Sequence, residues 1–330
     1  MDRLKVAVIG TGVIGRLHAQ HLSSRIRAAR LAAICDTDPA AIAECLRACN
    51  VEALPVFDDY LRLLSDPVID AVLICTPGEI HGEVIEAAAA AGKHIFCEKP
   101  IDYDLARADR ALAAVERAGV KLQIGFNRRF DANFRHVKEV ISTGAIGRLH
   151  TLHIVSRDPV QDEDESLADL FLDTTIHDLD MARFVTGSEV TSIYAIGGHM
   201  GEPNSGDAPD TAVITLRFAN GVIATIENSR RSVYGYDQRL EVFGSEGAIS
   251  IGNERPHQAI VSSRDGVLSS PPLAFFRERY ADSYVAEMSA FAQCVIEDSE
   301  PLVMGRDGRA ALVLTLAARR AYLEGRSIAL

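Results

Sequence analysis

The chain of 330 residues contains no long uncharged apolar segment and no cleavable signal sequence, so we expect neither a transmembrane helix nor export. It has only 34 basic residues against 46 acidic ones, which gives a formal net charge of -12. That charge repels nucleic acid and anionic membranes, and we expect neither as a partner. Internal repeats and low-complexity tracts are also lacking.

Cysteine is scarce, and the six residues lie mostly inside apolar runs. We interpret them as reduced thiols of a cytoplasmic protein. Cys45 and Cys49 have the four-residue spacing of one helix face, but no histidine or third cysteine lies near them. This favours structural packing over metal binding, and we expect no bound metal.

The length and an apolar content of 48% are sufficient for two hydrophobic cores. In residues 1–124, apolar strand-like runs alternate with helical segments, two of which stop at Gly92 and Gly119. This rhythm predicts an α/β Rossmann domain with a doubly wound parallel sheet. The strand-like runs are residues 6–9, 31–35, 71–75, 94–97 and 122–124.

In residues 125–330 the pattern changes to antiparallel signals. Asn220-Gly221 lies between two alternating runs, residues 212–218 and 222–228, and predicts a tight hairpin. We predict an α+β domain with a large open, mainly antiparallel sheet, whose late helices pack on that sheet or back on the first domain. Its further strands are residues 149–156, 191–196, 240–243 and 248–251, and its late helices are 283–297 and 306–323.

A glycine motif follows the first strand and opens a helix at Val13. Gly10 permits a tight turn, Gly12 lets backbone amides approach a pyrophosphate, and Gly15 lets the helix pack closely on the strand. The helix N-terminus favours the anion. We therefore predict that a dinucleotide is bound by Gly10, Gly12, Val13, Ile14 and Gly15.

Asp36, at the end of the second strand, is placed to bind a ribose 2'-hydroxyl and would repel a 2'-phosphate, which favours NAD over NADP. A nearby base such as Arg47 would soften this preference. Thr76, Pro77 and His81 follow the fourth strand, at the sheet edge where ligands bind in such folds, and should line the cofactor. The alternative for His81 is a helix-start residue bonded to backbone.

Lys99 follows the fifth strand at the same edge and is a candidate to stabilise a developing alkoxide, or else to pair with Glu98. Asp173 and His177 share one face if their segment is helical. Histidine is a suitable proton acceptor for alcohol oxidation, and the carboxylate can orient it. A helix-stabilising hydrogen bond, or a metal site with Asp180, is the alternative; hydride transfer beside a lysine does not require a metal.

Taken together, these residues resemble the glucose-fructose oxidoreductase / inositol dehydrogenase family, and within it the inositol 2-dehydrogenase branch. The resemblance extends over nearly the whole chain, and its combined motifs are specific. The matching segments are Glu98-Lys99-Pro100 and residues 123–131 (QIGFNRRFD), 156–159 (SRDP), 175–184 (TIHDLDMARF) and 233–239 (VYGYDQR).

The resemblance implies a homotetramer, joined through the open face of the second-domain sheet, that oxidises a ring hydroxyl of a cyclitol with NAD. The lead substrate is myo-inositol, which would give 2-keto-inositol. It implies that His177 is the base, Asp173 its partner, and Lys99 the group that orients substrate. It also places near the cofactor or substrate Glu98, Asn127, Arg128, Arg157 and Tyr236. Tyr234 and Tyr236, two apart on a predicted strand, should face the same side, unless core packing explains either one.

The chain departs from that branch in an acidic run at residues 160–169. A solvated loop is the simplest interpretation, but a run that reached the cleft would select a cationic substrate such as an amino-cyclitol. Alternative functions are a dehydrogenase for scyllo-inositol, an amino-cyclitol or a pyranose sugar. A non-catalytic NAD-binding sensor is a further alternative, although it would not need Lys99, Asp173 and His177 together.

Overall fold

The chain folds into two compact units. One consists of Met1–Phe130 and Asp282–Leu312, and the other of Asp131–Ala281 and Val313–Leu330. The computed structural model describes residues 3–51, 53–160, 169–201 and 209–330. The acidic run predicted as a loop therefore lies almost entirely outside the described residues.

The described residues form the following elements. The strands are β1 (Leu4–Ile9), β2 (Ala29–Cys35), β3 (Val56–Phe57), β4 (Ala71–Ile74), β5 (His94–Glu98), β6 (Leu122–Gly125), β7 (Leu149–Pro159), β8 (Val190–Gly198), β9 (Thr211–Phe218), β10 (Ile223–Ser232), β11 (Asp237–Gly244), β12 (Gly247–Ile251), β13 (Ile260–Ser263), β14 (Gly266–Ser269) and β15 (Ile328–Ala329). The helices are α1 (Val13–Ser24), α2 (Pro39–Cys49), α3 (Tyr60–Leu64), α4 (His81–Ala90), α5 (Leu105–Ala118), α6 (Ala132–Ser142), α7 (Ile176–Thr186), α8 (Phe276–Arg279), α9 (Ala281–Ile296) and α10 (Gly305–Glu324).

The first unit contains a parallel sheet in the order β3-β2-β1-β4-β5-β6, which confirms the predicted Rossmann-type domain. Its central strands are buried apolar runs, as expected where helices cover both faces of a parallel sheet. Asp104 caps the N-terminus of helix α5, and its side chain accepts the Arg107 backbone N–H. It ends at Gly119 in the left-handed conformation, as predicted.

The segment Asp282–Leu312 groups with the first unit. The sequence pattern predicted one boundary after residue 124 and left open that a late helix packs back on the first domain. Long-range hydrogen bonds account for this grouping. The Gln123 side-chain amide donates to the Glu287 carbonyl over 2.9 Å, and the Ile124 N–H donates to the Val303 carbonyl over 3.0 Å. Apolar side chains of α9, including Phe291, also belong to the core beside β1.

The second unit contains a seven-stranded sheet in the order β12-β11-β7-β10-β9-β8-β15, in which only β7 and β10 pair in parallel. This confirms the mainly antiparallel sheet. Burial alternates along β9, so one face packs on the core and the other is exposed. The predicted hairpin joins β9 and β10, and its loop has three residues, 219–221, because the Phe218 N–H donates to the Val222 carbonyl. Among the described residues, no helix is long and apolar enough to cross a membrane.

Candidate functional site

The glycine motif forms the turn between β1 and α1. Gly10 has a φ of 90°, which favours glycine, and its N–H donates to the Cys35 carbonyl over 2.8 Å. A Cβ on Gly12 would meet no protein atom within 4 Å, whereas one on Gly15 would overlap the Gly10 carbonyl. Helix α1 begins at Val13 with no acidic residue in its first turn. Its N-terminus is thus open to an anion, which fits the pyrophosphate of a dinucleotide.

Asp36 is fixed beside this turn by three hydrogen bonds. Its Oδ2 accepts the Thr11 N–H and hydroxyl over 2.6 and 2.8 Å, and its Oδ1 accepts the Asp38 N–H over 3.0 Å. Burial opposes ionisation of Asp36, but the bonds from Asp38 and Thr11 outweigh it and lower its pKa. An ionised, oriented carboxylate therefore lies where a dinucleotide ribose binds in folds of this type.

His81 is buried at the start of α4. Its Nδ1 lies 2.6 Å from the Pro100 carbonyl and its Nε2 lies 2.7 Å from the Thr76 carbonyl. Both ring nitrogens are used by backbone, as in the alternative that the sequence left open. Any contact of His81 with a cofactor would be made through ring carbons. Pro77 precedes a short 3-10 turn that leads into the same helix.

Lys99 follows β5, is half-buried, and is joined to Pro100 by a cis peptide bond. Its backbone N–H donates to the Glu98 Oε2 over 3.3 Å. The Glu98 Oε1 lies 2.8 Å from the Nε2 of His18 on α1, so this carboxylate faces the interior of the first unit. The sequence left open that Lys99 simply pairs with Glu98 in a loop. That alternative did not include the contact between Glu98 and His18.

Asn127 and Arg128 are both buried in a 3-10 turn, Asn127–Phe130, directly after β6. The Asn127 Nδ2 lies 3.5 Å from the Ser283 hydroxyl, a weak contact. This places both side chains at the carboxyl end of the parallel sheet, where ligands bind in open α/β folds.

Asp173 and His177 are carried by the second unit, in a helical segment with an unpredicted irregularity. Residues Phe171–Thr175 form a π turn, closed by the Ile176 N–H donating to the Phe171 carbonyl, and α7 follows. Single π turns of this kind occur frequently at functional sites. Asp173 lies in the π turn and His177 in the first turn of α7, and both are half-buried.

Arg230 contacts the candidate carboxylate and was missed by sequence reasoning. Its Nη2 donates to the Asp173 Oδ2 over 3.0 Å, and the Arg230 and Asp173 side chains are 13% and 48% exposed. Arg230 lies near the end of β10, so only the folded sheet brings it to the π turn. The one available signal was a pair of arginines, Arg230-Arg231, inside a strand that is otherwise largely uncharged.

A buried polar network anchors α7 to the sheet next to His177. Asp178 is fully buried, and its two carboxylate oxygens accept the Ser156 hydroxyl and the Asn228 amide, each over 2.7 Å. The Thr175 hydroxyl donates to the Asn228 Oδ1 over 2.6 Å. Because these bonds come from β7 and β10, they fix the rotation of α7 and hence the direction of His177.

Arg157 lies at the end of β7 in a second polar cluster. Its Nε donates to Glu227 over 2.7 Å, and its Nη1 donates to the Tyr234 hydroxyl over 2.7 Å and to Asp237 over 3.2 Å. Arg239, Tyr234 and Asn253 also donate to Asp237. Burial opposes ionisation of Asp237, but these bonds lower its pKa.

The prediction that Tyr234 and Tyr236 face the same side is wrong. Residues 233–235 form a bend, residue 236 lies outside any strand, and Gly235 has a φ of 115°. Tyr234 is exposed, while Tyr236 is buried and its ring packs edge-on against Phe275 and Tyr280. Side chains two residues apart face the same side only in an extended strand, and this segment does not adopt that backbone conformation.

The comparison with known proteins accounts for most of the chain. Residues 4–126 match the family model described as an oxidoreductase family with an NAD-binding Rossmann fold, and residues 134–250 match the GFO/IDH/MocA C-terminal domain. A myo-inositol 2-dehydrogenase of Thermotoga maritima is 43% identical over 99% of this chain and 98% of its own length.

Solved structures agree along the whole chain. A myo-inositol dehydrogenase from Lactobacillus casei, in complex with NAD(H) and myo-inositol, has a TM-score of 0.92 at 28% identity, covering 100% of this chain and 97% of its own. A scyllo-inositol dehydrogenase from the same organism, with bound NAD(H) and scyllo-inositol, has a TM-score of 0.93 at 27% identity, covering 99% of both chains. The chain belongs to the GFO/IDH/MocA family of NAD-dependent oxidoreductases.

Proposed function

We propose that this protein oxidises a ring hydroxyl of a cyclitol, with myo-inositol as the lead substrate and 2-keto-inositol and NADH as products. The observation that carries the proposal is the 43% identity, along 99% of the chain, with a relative named myo-inositol 2-dehydrogenase. Scyllo-inositol is the second candidate, because a scyllo-inositol dehydrogenase has the same fold along the whole chain.

In this proposal His177 takes the proton of the reacting hydroxyl, because imidazole is suited to proton transfer near neutral pH. Asp173, oriented by Arg230, positions the base or the hydroxyl. Lys99 donates a hydrogen bond to the oxygen and stabilises its developing negative charge. NAD supplies the hydride acceptor. Further contacts with substrate or cofactor are assigned to Arg128, Arg157, Tyr236, Asn127, Thr76, Pro77, His81, Glu98, Asp36 and the glycine turn.

The first experiment follows NADH formation by the purified protein with NAD or NADP against myo-inositol, scyllo-inositol, an amino-cyclitol and pyranose sugars. We expect turnover of myo-inositol with NAD, and weak or no use of NADP because Asp36 repels a 2'-phosphate. Activity only on another polyol would change the proposed substrate but leave the proposed mechanism unchanged. Binding of NAD without any turnover would favour a sensor.

The roles of Lys99 and His177 are tested by replacing each with alanine. We expect His177→Ala to lower kcat by about 10²–10⁴-fold, the range for a lost general base, and Lys99→Ala to abolish most turnover. Both variants should still bind NAD, measured by fluorescence titration. His136→Ala, at an exposed position on α6, is the control and should leave kcat unchanged. Full activity in both variants would refute this mechanism.

We also propose a homotetramer in the cytoplasm, assembled through the exposed face of the second-unit sheet. Large apolar side chains lie on the exposed face of the adjacent strands β8, β9 and β10, among them Tyr194, Ile196, Val213 and Ile223. Contiguous exposed apolar surface of this kind is typical of an interface. The six cysteines are free thiols, which is compatible with a reducing compartment. Light scattering should give a mass of about four chains, and a monomer would refute the assembly.

A further inference from the structure

Three buried, titratable side chains converge in the first unit: His18 from α1, Glu98 from β5 and Glu287 from α9. Their donor atoms lie within 4.8 Å of one another. His18 and Glu287 are fully buried, and Glu98 is nearly so. The function proposed above gives no role to His18 or Glu287. A buried carboxylate needs a partner or a proton, so its presence here requires an explanation.

The Glu98 carboxylate connects this triad to Lys99. One oxygen lies 2.8 Å from the His18 Nε2, and the other accepts the Lys99 backbone N–H over 3.3 Å. On the opposite side, a Cβ on Gly125 would lie only 3.0 Å from the Glu98 carboxyl carbon. The Glu98 carboxylate is thus contacted from three sides, and one of these contacts is with the Lys99 backbone.

Among the described residues, Glu287 forms no ion pair with a lysine or arginine. Neither of its carboxylate oxygens accepts a hydrogen bond there, and its Oε1 lies 4.0 Å from the His18 Nε2. Burial, and then the charge of Glu98, raise the pKa of Glu287 well above its ordinary value. Among the described residues, the Cys75 thiol just after β4 also faces Glu287, and burial raises its pKa well above its ordinary range. The triad contains two carboxylates and one imidazole, and in the part of the chain that the structure describes neither carboxylate forms an ion pair with a lysine or arginine.

The geometry favours a proton rather than a metal ion in this triad. Two ligands of a tetrahedral zinc ion, each about 2.0–2.2 Å from the metal, are separated by roughly 3.3–3.6 Å. His18 Nε2 and Glu98 Oε1 are 2.8 Å apart, which is a hydrogen-bond distance. The same His18 nitrogen faces both carboxylates, so an ionised Glu287 would compete with Glu98 for its N–H.

We propose that Glu287 is a positioning residue that remains protonated at neutral pH and so leaves the His18 N–H to Glu98, which holds the Lys99 backbone in place. Loss of this proton at alkaline pH draws His18 towards Glu287, releases the Glu98 carboxylate and displaces Lys99. Alkaline inactivation through Glu287 is the expected consequence. This inference rests on the proposed role of Lys99 in dehydrogenation.

The test compares the wild type with Glu287→Gln, which has the same shape but cannot ionise. Both should have the same kcat at pH 7 within about twofold. The wild type should lose kcat at alkaline pH with a smaller change in KM, and Glu287→Gln should lack that alkaline loss. Glu297→Gln, which removes an exposed carboxylate just after α9, is the matched control and should behave as wild type.

Infrared difference spectra provide a second readout that needs neither substrate nor an active variant. The folded wild type at pH 7 should show the carbonyl band of one buried protonated carboxylic acid, which disappears over the same alkaline range as kcat. The inference is overturned if this band is missing, if Glu287→Gln keeps the alkaline loss, or if one divalent metal per chain co-purifies and is lost in Glu287→Gln. Failure to oxidise any cyclitol would refute the proposed function but leave the infrared result intact.

Discussion

Asn228 offers a sharp test of how the second unit holds its candidate base. Its Nδ2 donates to a carboxylate oxygen of the buried Asp178 over 2.7 Å, and its Oδ1 accepts the Thr175 hydroxyl. Asn228→Ala removes one hydrogen bond to a charged group, worth about 1.5–3 kcal/mol, and one neutral bond, worth about 0.5–1.5 kcal/mol. We therefore expect a loss of about 2–4 kcal/mol in the free energy of unfolding.

Asn133 is a matched control in the same unit. Its Nδ2 also donates to a carboxylate oxygen, that of Glu254, over 2.7 Å, but this pair is exposed to solvent. Exposed pairs contribute about 0–1 kcal/mol, and alanine is the better residue for a position inside α6. Asn133→Ala should therefore change stability by less than about 1 kcal/mol.

Thermal unfolding of the full chain, followed by circular dichroism, compares the two variants. For a protein of this size, each kcal/mol lost from the free energy of unfolding lowers Tm by about 2–4 °C. Asn228→Ala should therefore lower Tm by roughly 4–16 °C, and Asn133→Ala by much less. Asn228→Ala should also lower kcat at temperatures where it is folded, because α7 carries His177. Equal shifts in the two variants would refute the argument that burial, rather than the contact itself, decides the energy.

Two further predictions concern charged groups. Arg230→Met should lower kcat/KM by roughly 3–10-fold with unchanged affinity for NAD, because it removes a charge-assisted bond to the half-exposed Asp173. Steady-state kinetics and a NAD titration check this, and an unchanged kcat/KM would contradict it. The raised pKa of Glu287 means that the folded state keeps a proton that the unfolded chain releases above about pH 4.3. Wild-type stability should therefore fall as pH rises, by up to about 1.4 kcal/mol per unit until the folded pKa is reached. Tm measured from pH 5 to 9 should rise for Glu287→Gln relative to wild type, and a constant difference would contradict this.

The sequence was sufficient to predict the features that depend on neighbours along the chain. The parallel strands, the glycine turn at Gly10 and the helix end at Gly119 each follow from local patterns of burial or backbone conformation. The positions of Lys99 after β5 and of Asp173 and His177 around the start of α7 also follow from local order.

Features that depend on distant partners could not be predicted in the same way. Arg230 is 57 residues from Asp173 in sequence, and nothing in its surroundings identifies the carboxylate that it binds. The π turn at Phe171–Thr175 inserts an irregularity that a helical period does not reveal. In the sequence, Glu287 is an ordinary polar residue of a predicted helix. Its raised pKa depends on its burial and its packing near Glu98, which appear only in the folded structure.

The discontinuous composition of the first unit has a consequence for biosynthesis. Strand β6 lies at the edge of its sheet, and its backbone bonds to Val303 and Met304. A ribosome that adds about 5–20 residues per second needs on the order of 10–40 s to translate from Ile124 to Val303. During that interval the nascent chain carries a sheet edge without its partner, a state prone to misassociation. The edge of this sheet should therefore be completed only near the end of translation, and chaperones are expected to engage the exposed strand until then.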